Sequence, residues 1–133
     1  MPGVMLDSDV CIDVLRGHSP SIRARLERMS PEEVAVSSIV AAELWAGVSK
    51  SMQPERSKSA IGAFLAYVSV LDWPAEAAST YGDLRAQLER SGKSIGAMDL
   101  LIAVHAIHER ATLITRNQSE FRRVSGLKLE TWT

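Results

Sequence analysis

The sequence predicts an α/β fold, a mostly parallel sheet of four to five strands with helices on both faces. Three observations carry this. Short apolar runs at residues 4–6, 34–36, 68–71 and 112–115 are separated by stretches whose apolar positions recur at helical spacing, the mark of repeated βα units. The runs at 4–6 and 34–36, and Leu113 with Ile114, are apolar without alternation, as in strands covered on both faces. The 133 residues contain no internal repeat, low-complexity tract or linker, so one domain over 1–133 with one core is expected.

Val4, Met5 and Leu6 form the first run, and Ser8 then offers an N-cap for a helix to about residue 16, closed by Gly17. Ser19 and Pro20 restart a helix as cap and first-turn proline. Its Ile22 and Leu26 stand four apart among Arg23, Arg25, Glu27 and Arg28, the pattern of an amphipathic surface helix. Val34, Ala35 and Val36 read as the second strand. Ser37 or Ser38 caps the next helix, which turns Ile39, Val40, Leu44 and Val48 toward the core and carries Glu43 in its interior. After Pro54 a helix to about Tyr67 leads into a third strand from Val68 to Leu71, and Pro74 opens a long helix ending near Ser91 and Gly92. From Ala97 to about Glu109 the chain is apolar nearly all round, which predicts a helix buried on most sides with Asp99 in its first turn. Thr112 to Thr115 makes the fourth strand, 116–121 a loop or short helix, and Leu127, Lys128 and Leu129 an edge strand.

A composition of 46% hydrophobic and 23% charged residues argues against both a disordered chain and a membrane-embedded one. The single Cys11 can neither close an intramolecular disulfide nor build a structural zinc site, so the cytoplasm is the expected compartment. The opening residues lack a basic region, and Asp7, Asp9 and Asp13 interrupt their apolar run, against a signal peptide or membrane span. The net charge of −1 conceals an asymmetry. Residues 1–84 hold 7 basic and 11 acidic residues, whereas 85–133 hold 8 and 5. An acidic cluster that binds metal and a basic surface that meets phosphates fit that division, as do ordinary solvated helix faces.

Ligands of open parallel sheets bind outside the carboxyl ends of the strands, so polar residues there are the ones to collect. Asp7 and Asp9 follow the first strand, Glu43 lies on the helix after the second, Asp99 begins the apolar helix, and Asn117 and Glu120 follow the fourth strand. These are hard oxygen donors without His or Cys beside them, a set suited to Mg²⁺ or Mn²⁺ rather than zinc. Singly, several have plainer readings: Asp99 can complement a helix dipole, Asp9 and Asp13 can be exposed first-turn acids, and Glu120 can pair with Arg123. Glu43 and Asp99 resist such readings. Each sits among apolar neighbours, where a lone buried carboxylate costs on the order of several kcal/mol. His105 and His108 stand three apart with no third ligand spaced to them and read as structural or surface histidines. Cys11 reads as a small buried hydrophobe, and Trp45, about 200° around the helix from Glu43, as a packing or interface residue.

Four segments, MLDSDVCIDVLRG, SSIVAAELWAGV, SIGAMDLLIAVHA and TLITRNQSEFRRVSGLKLETW, are distributed along the chain from residue 5 to residue 132. In this order and spacing they resemble the PIN-domain ribonuclease toxins of the VapC family, partners of VapB antitoxins in bacterial type II toxin–antitoxin modules, and among them the subgroup known from enteric bacteria. The resemblance implies a PIN-like domain. It also implies that Asp7, Glu43 and Asp99 take the three core acidic positions, that Asn117 and Glu120 complete the site within the TRNxxEF stretch, and that Thr115 supplies a hydroxyl beside it. Two positions depart from the family pattern. Asp9 stands where the usual LDTN motif has Asn, and Asn117 stands where many relatives place Asp, which leaves Glu120 as the fourth carboxylate.

By that resemblance the expected activity is metal-dependent endoribonuclease cleavage. Asp7, Asp99 and Glu120 would hold one or two Mg²⁺ ions, with Mn²⁺ able to substitute, and Glu43 would act as ligand or as the base that orients water. Asp9 is expected at the pocket rim, attracting metal without holding it. Arg16, Arg85, Arg116 and Arg122 are candidate RNA phosphate contacts. A structured RNA such as a tRNA anticodon stem-loop is the implied substrate. The implied assembly is a homodimer that joins a VapB-type antitoxin in a higher hetero-oligomer, reaches operator DNA only through that antitoxin, and touches no membrane. Two other readings remain at this point: a PIN-like module that binds RNA without cutting it, and a receiver-like signalling domain. The latter needs a phosphate-accepting Asp after the third strand and a matching Lys, whereas Asp72 here precedes Trp73 and Pro74 with no such Lys placed.

Overall fold

The computed structural model describes residues 2–133. Five strands, β1 (Val4–Leu6), β2 (Val34–Ser37), β3 (Ser69–Leu71), β4 (Thr112–Ile114) and β5 (Lys128–Glu130), form one sheet. Their order is β3-β2-β1-β4-β5, and every neighbouring pair is parallel. Successive side chains of a strand point to opposite faces, yet Met5 and Leu6, Ala35 and Val36, and Leu113 and Ile114 are all buried. Both faces of the three central strands are therefore covered, as predicted from their uninterrupted apolar runs. The outer strands β3 and β5 are only partly buried, which fits edge positions.

The helices are α1 (Ser8–Leu15), α2 (Pro20–Glu27), α3 (Ser38–Ala46), α4 (Pro54–Tyr67), α5 (Ala78–Arg90), α6 (Ala97–Glu109) and α7 (Gln118–Phe121). Among the described residues, none is long and apolar enough to cross a membrane. The N-cap of α1 is Asp7, not the expected Ser8: Asp7 has extended backbone angles, and its Oδ1 accepts the Ser8 N–H at 2.8 Å. A carboxylate caps as well as a hydroxyl does, and Asp7 comes first after the strand. Gly17 closes this segment in the left-handed region at φ 71°. Of the two serines proposed for α3, Ser37 is the cap, accepting the Ile39 N–H at 3.1 Å. Pro74 starts a 3₁₀ turn, Ala75–Ala77, before α5 proper begins at Ala78.

α6 is less enclosed than its composition predicts. Leu100, Ile102, Ala103, Val104 and Ala106 are buried, but Met98 is 43% exposed and Asp99 only partly covered. The open first turn is the part of the helix that bears the carboxylate. One contiguous hydrophobic cluster joins the sheet to α1, α2, α3 and α6, with Phe121 its largest fully buried side chain.

Candidate active site

An open parallel sheet forms its ligand crevice where the strand order reverses, which in this sheet is between β1 and β4. The register pairs Leu6 with Ile114, so Asp7 and Thr115 emerge side by side at that point. Thr115 Oγ1 donates to Asp7 Oδ2 at 2.8 Å, and both residues are buried. Thr115 Oγ1 also accepts the Asn117 N–H at 3.0 Å, which shapes the turn into α7.

The other acids arrive on three helices. On α3, Glu43 Oε1 accepts the Ser8 hydroxyl at 2.5 Å, a bond that ties α3 to the first turn of α1. Asp99 comes from the open first turn of α6. Glu120, on α7, is held from two sides: Asn117 Nδ2 donates to Oε2 at 2.8 Å, and the Gly96 N–H donates to Oε1 at 3.2 Å. Asn117 thus sits against Glu120 and orients it.

Several of these carboxylates feel one another's charge. Burial pushes Asp7 up to about 7, with the charge of Asp9 the next cause, and burial pushes Asp99 up to about 6, aided by the charges of Glu120, Glu43 and Asp9. Asp9 is raised by burial as well, against the nearby backbone N–H groups of Val10 and Arg116. Glu120 lies below its ordinary range because the Asn117 amide and the Gly96 N–H favour the charged form. Asp9 is half-buried, and its Oδ1 is wholly buried without a hydrogen-bond partner.

Among the described residues, no three His, Cys, Asp or Glu side chains close around a common point at metal-binding distance. The donor set nevertheless fits a hard divalent cation. All five acids present oxygen, they repel one another, and an orphaned buried carboxylate oxygen is a group that a cation satisfies.

This repulsion makes a prediction for the metal-free protein. Native Asp7 holds its proton up to about pH 7, whereas in the unfolded chain it loses it near 3.8. The native state therefore binds more protons across that window, and the Asp7 contribution to stability, present in full below 3.8, is lost as pH rises through 7. In EDTA, wild-type melting temperature relative to Asp7→Asn should fall between pH 4 and about pH 7 and level off above it, by the equivalent of on the order of a few kcal/mol. A constant difference across thermal melts over that range would contradict the buried, repelling placement.

Residues 4–127 match the PIN domain. Ribonuclease VapC2 of Rickettsia felis is 44% identical over 129 residues, 96% of each chain, and a tRNA(fMet)-specific endonuclease VapC of Shigella flexneri is 37% identical over 97% of each. The chain belongs to the VapC family of PIN-domain ribonucleases. Solved structures agree. VapBC2 of Rickettsia felis bound to a promoter DNA fragment superposes with a TM-score of 0.91 at 43% identity over 98% of both chains, and DNA-bound VapBC of Salmonella typhimurium with 0.93 at 34% over all of both. This VapC-family chain is accordingly a toxin endoribonuclease with a PIN-like α/β fold.

The receiver-like alternative fails on topology as well. Asp72 follows β3, which lies at the sheet edge, far in strand order from the β1/β4 crevice.

Of the candidate phosphate-binding arginines, Arg16 is exposed and lines a cleft of about 490 Å³ that also contains Glu43. Arg116, next to Thr115, pairs with Asp13. Arg122 follows Phe121 on the solvent side, with its guanidinium on Gln118. Arg85 lies on α5, paired with Glu89 at 3.8 Å and bonded to Tyr81, beside the Ser94 and Ile95 segment that leads to Gly96.

Sequence reasoning missed two participants. The Ser8 hydroxyl was spent on a cap, and the Gly96 backbone N–H carries no side-chain signal at all. His108 is exposed and Cys11 fully buried, as read from the sequence, and Trp45 is 42% exposed, open to a neighbour.

Proposed function

We propose that this VapC-family toxin acts as a single cytoplasmic nuclease domain that hydrolyses phosphodiester bonds in structured RNA, with Mg²⁺ or Mn²⁺ held by Asp7, Asp99 and Glu120. The observation that carries this reading is the convergence of acids from β1, α3, α6 and α7 on the β1/β4 crevice. A bound divalent ion supplies an acidified water and neutralises charge developing on the phosphate. Glu43, fixed by Ser8, takes the proton of the attacking water. The water oxygen joins phosphorus in line as the bond to O3′ breaks, and the leaving oxygen takes a proton from solvent, giving a 3′-hydroxyl and a 5′-phosphate. Asn117 and Gly96 hold Glu120 charged and oriented, and Thr115 orients Asp7. Arg16, Arg85, Arg116 and Arg122 meet the RNA backbone around the acids.

The tRNA(fMet)-specific relative favours a tRNA anticodon stem-loop as substrate. Relatives solved as VapBC complexes on DNA support a VapB-type antitoxin as partner; we take the toxin itself to be a homodimer that joins the antitoxin in a larger hetero-oligomer and meets operator DNA through it. A basic antitoxin side chain entering the acidic pocket would compete with metal there.

The test is incubation of the purified chain with total RNA and with tRNA in Mn²⁺. Cleavage to 5′-phosphate ends that EDTA abolishes supports the reading, and expression without antitoxin should arrest bacterial growth. RNA binding with no cleavage in any metal would favour the non-cutting module instead. Asp9→Asn should raise the Mn²⁺ concentration for half-maximal cleavage by about 10–100-fold and leave the rate at saturation within that same range. Complete loss at saturating Mn²⁺ would move Asp9 among the direct ligands.

A further inference from the structure

Among the described residues, four polar side chains are buried: Asp7, Thr115, Ser37 and His105. The first two are bonded to each other in the crevice. The second two are also bonded, with His105 Nδ1 2.7 Å from Ser37 Oγ, and nothing in the mechanism above uses them. Their location is informative. Ser37 is the last residue of β2, on the strand that pairs in register with β1, and it caps α3, which carries Glu43. His105 lies on α6, which carries Asp99. This buried hydrogen bond therefore ties the start of α3, which carries Glu43, to α6, which carries Asp99.

The pair has a definite hydrogen-bond polarity. Ser37 Oγ already accepts the Ile39 N–H at 3.1 Å. Its own proton then goes to His105 Nδ1, since a ring N–H pointed at Oγ would leave the buried hydroxyl hydrogen without an acceptor. The ring hydrogen sits on Nε2, which has no hydrogen-bond partner and stands 3.8 Å from Glu109 Oε1. An apolar pair of the same shape would fill this space at little cost, because replacing both partners of a buried hydrogen bond is often nearly neutral. What an apolar pair lacks is direction: the hydroxyl bond sets the rotation and height of α6 against the β2–α3 junction.

We propose that His105 and Ser37 are positioning residues, which hold α6 against the β2–α3 junction so that Asp99, as metal ligand, and Glu43, as base, keep their places in the crevice. This deepens the metal-dependent reading above and rests on it.

The experiment measures Mn²⁺ binding to the purified chain by titration calorimetry, together with the Mn²⁺ dependence of cleavage. His105→Leu keeps the volume but not the acceptor, and should weaken Mn²⁺ binding by about 10-fold or more while melting cooperatively. The rate at saturating Mn²⁺ should fall less than the affinity does. His105→Asn presents Oδ1 where Nδ1 stood and should recover most of the binding, which a role in filling space alone would not explain. Leu-variant binding within about twofold of wild type, or an Asn variant as weak as the Leu variant, overturns the positioning role. Should His105→Leu fail to melt cooperatively, Ser37→Ala decides, with the same loss of Mn²⁺ affinity expected and unchanged affinity overturning the role. Wild-type protein that takes up no Mn²⁺ overturns the metal reading and the positioning role with it, whereas wild-type uptake with unaltered variants overturns the positioning role alone.

Discussion

Asp99→Asn should leave no RNA cleavage above an EDTA-treated control, while the protein remains folded and melts at a higher temperature than wild type in EDTA at pH 8. The argument joins the site to the fold. Asp99 lies in the open first turn of α6, raised to about 6 by burial and by the charges of Glu120, Glu43 and Asp9. Asparagine occupies nearly the same volume, so no cavity opens and no core contact is lost. It removes one of the repelling charges, which relieves the metal-free protein, and it removes the charge that a cation would neutralise. Catalysis and apo stability should therefore move in opposite directions. Asp7→Asn should behave alike in cleavage, with a stability gain at pH 8 at least as large, because its carboxylate is raised further, to about 7, despite accepting from Thr115 and Ser8. Circular dichroism melts and a nuclease assay on one preparation decide it. Undiminished Mn²⁺-dependent cleavage, or a variant that fails to fold, would remove Asp99 from the site.

How much of this was legible in the sequence divides along a physical line. The bounds of α4 and α6 were readable because proline, glycine and apolar spacing are local signals, and the three central strands because their runs are apolar on both faces. The acids Asp7, Glu43, Asp99 and Glu120 were readable for a related reason. Each stands just past a strand or inside an apolar helix, where a carboxylate has to be accounted for. The contacts that orient those acids were not readable. Ser8 meets Glu43 across 35 residues, Gly96 meets Glu120 across 24, and His105 meets Ser37 across 68. Such pairings depend on helix packing, which periodicity does not encode. The cap of α1 was ambiguous for a nearer cause: two adjacent residues, Asp7 and Ser8, are both competent caps.

Phe121→Ala should cost about 3–5 kcal/mol of stability and also weaken the site, although the ring touches neither RNA nor metal. Phe121 is fully buried at the end of α7, a helix of only four residues that cannot hold its shape by its own hydrogen bonds. Its backbone N–H bonds the Asn117 carbonyl at 3.4 Å, a long contact, so the ring in the core is what keeps this turn down. Glu120 precedes it, and the geometry that lets Glu120 receive both Asn117 and Gly96 depends on that anchor. For a domain of this size the loss corresponds to a melting temperature lower by about 10–20 °C. Below that transition, where the variant is still folded, the Mn²⁺ concentration for half-maximal cleavage should rise by about 10–100-fold, as when a group supporting a metal ligand is removed. Phe121→Leu refills most of the space and should cost about 1 kcal/mol with little change in metal requirement. An Ala variant that loses the predicted stability yet binds Mn²⁺ like wild type would show that α7 holds Glu120 without help from the core.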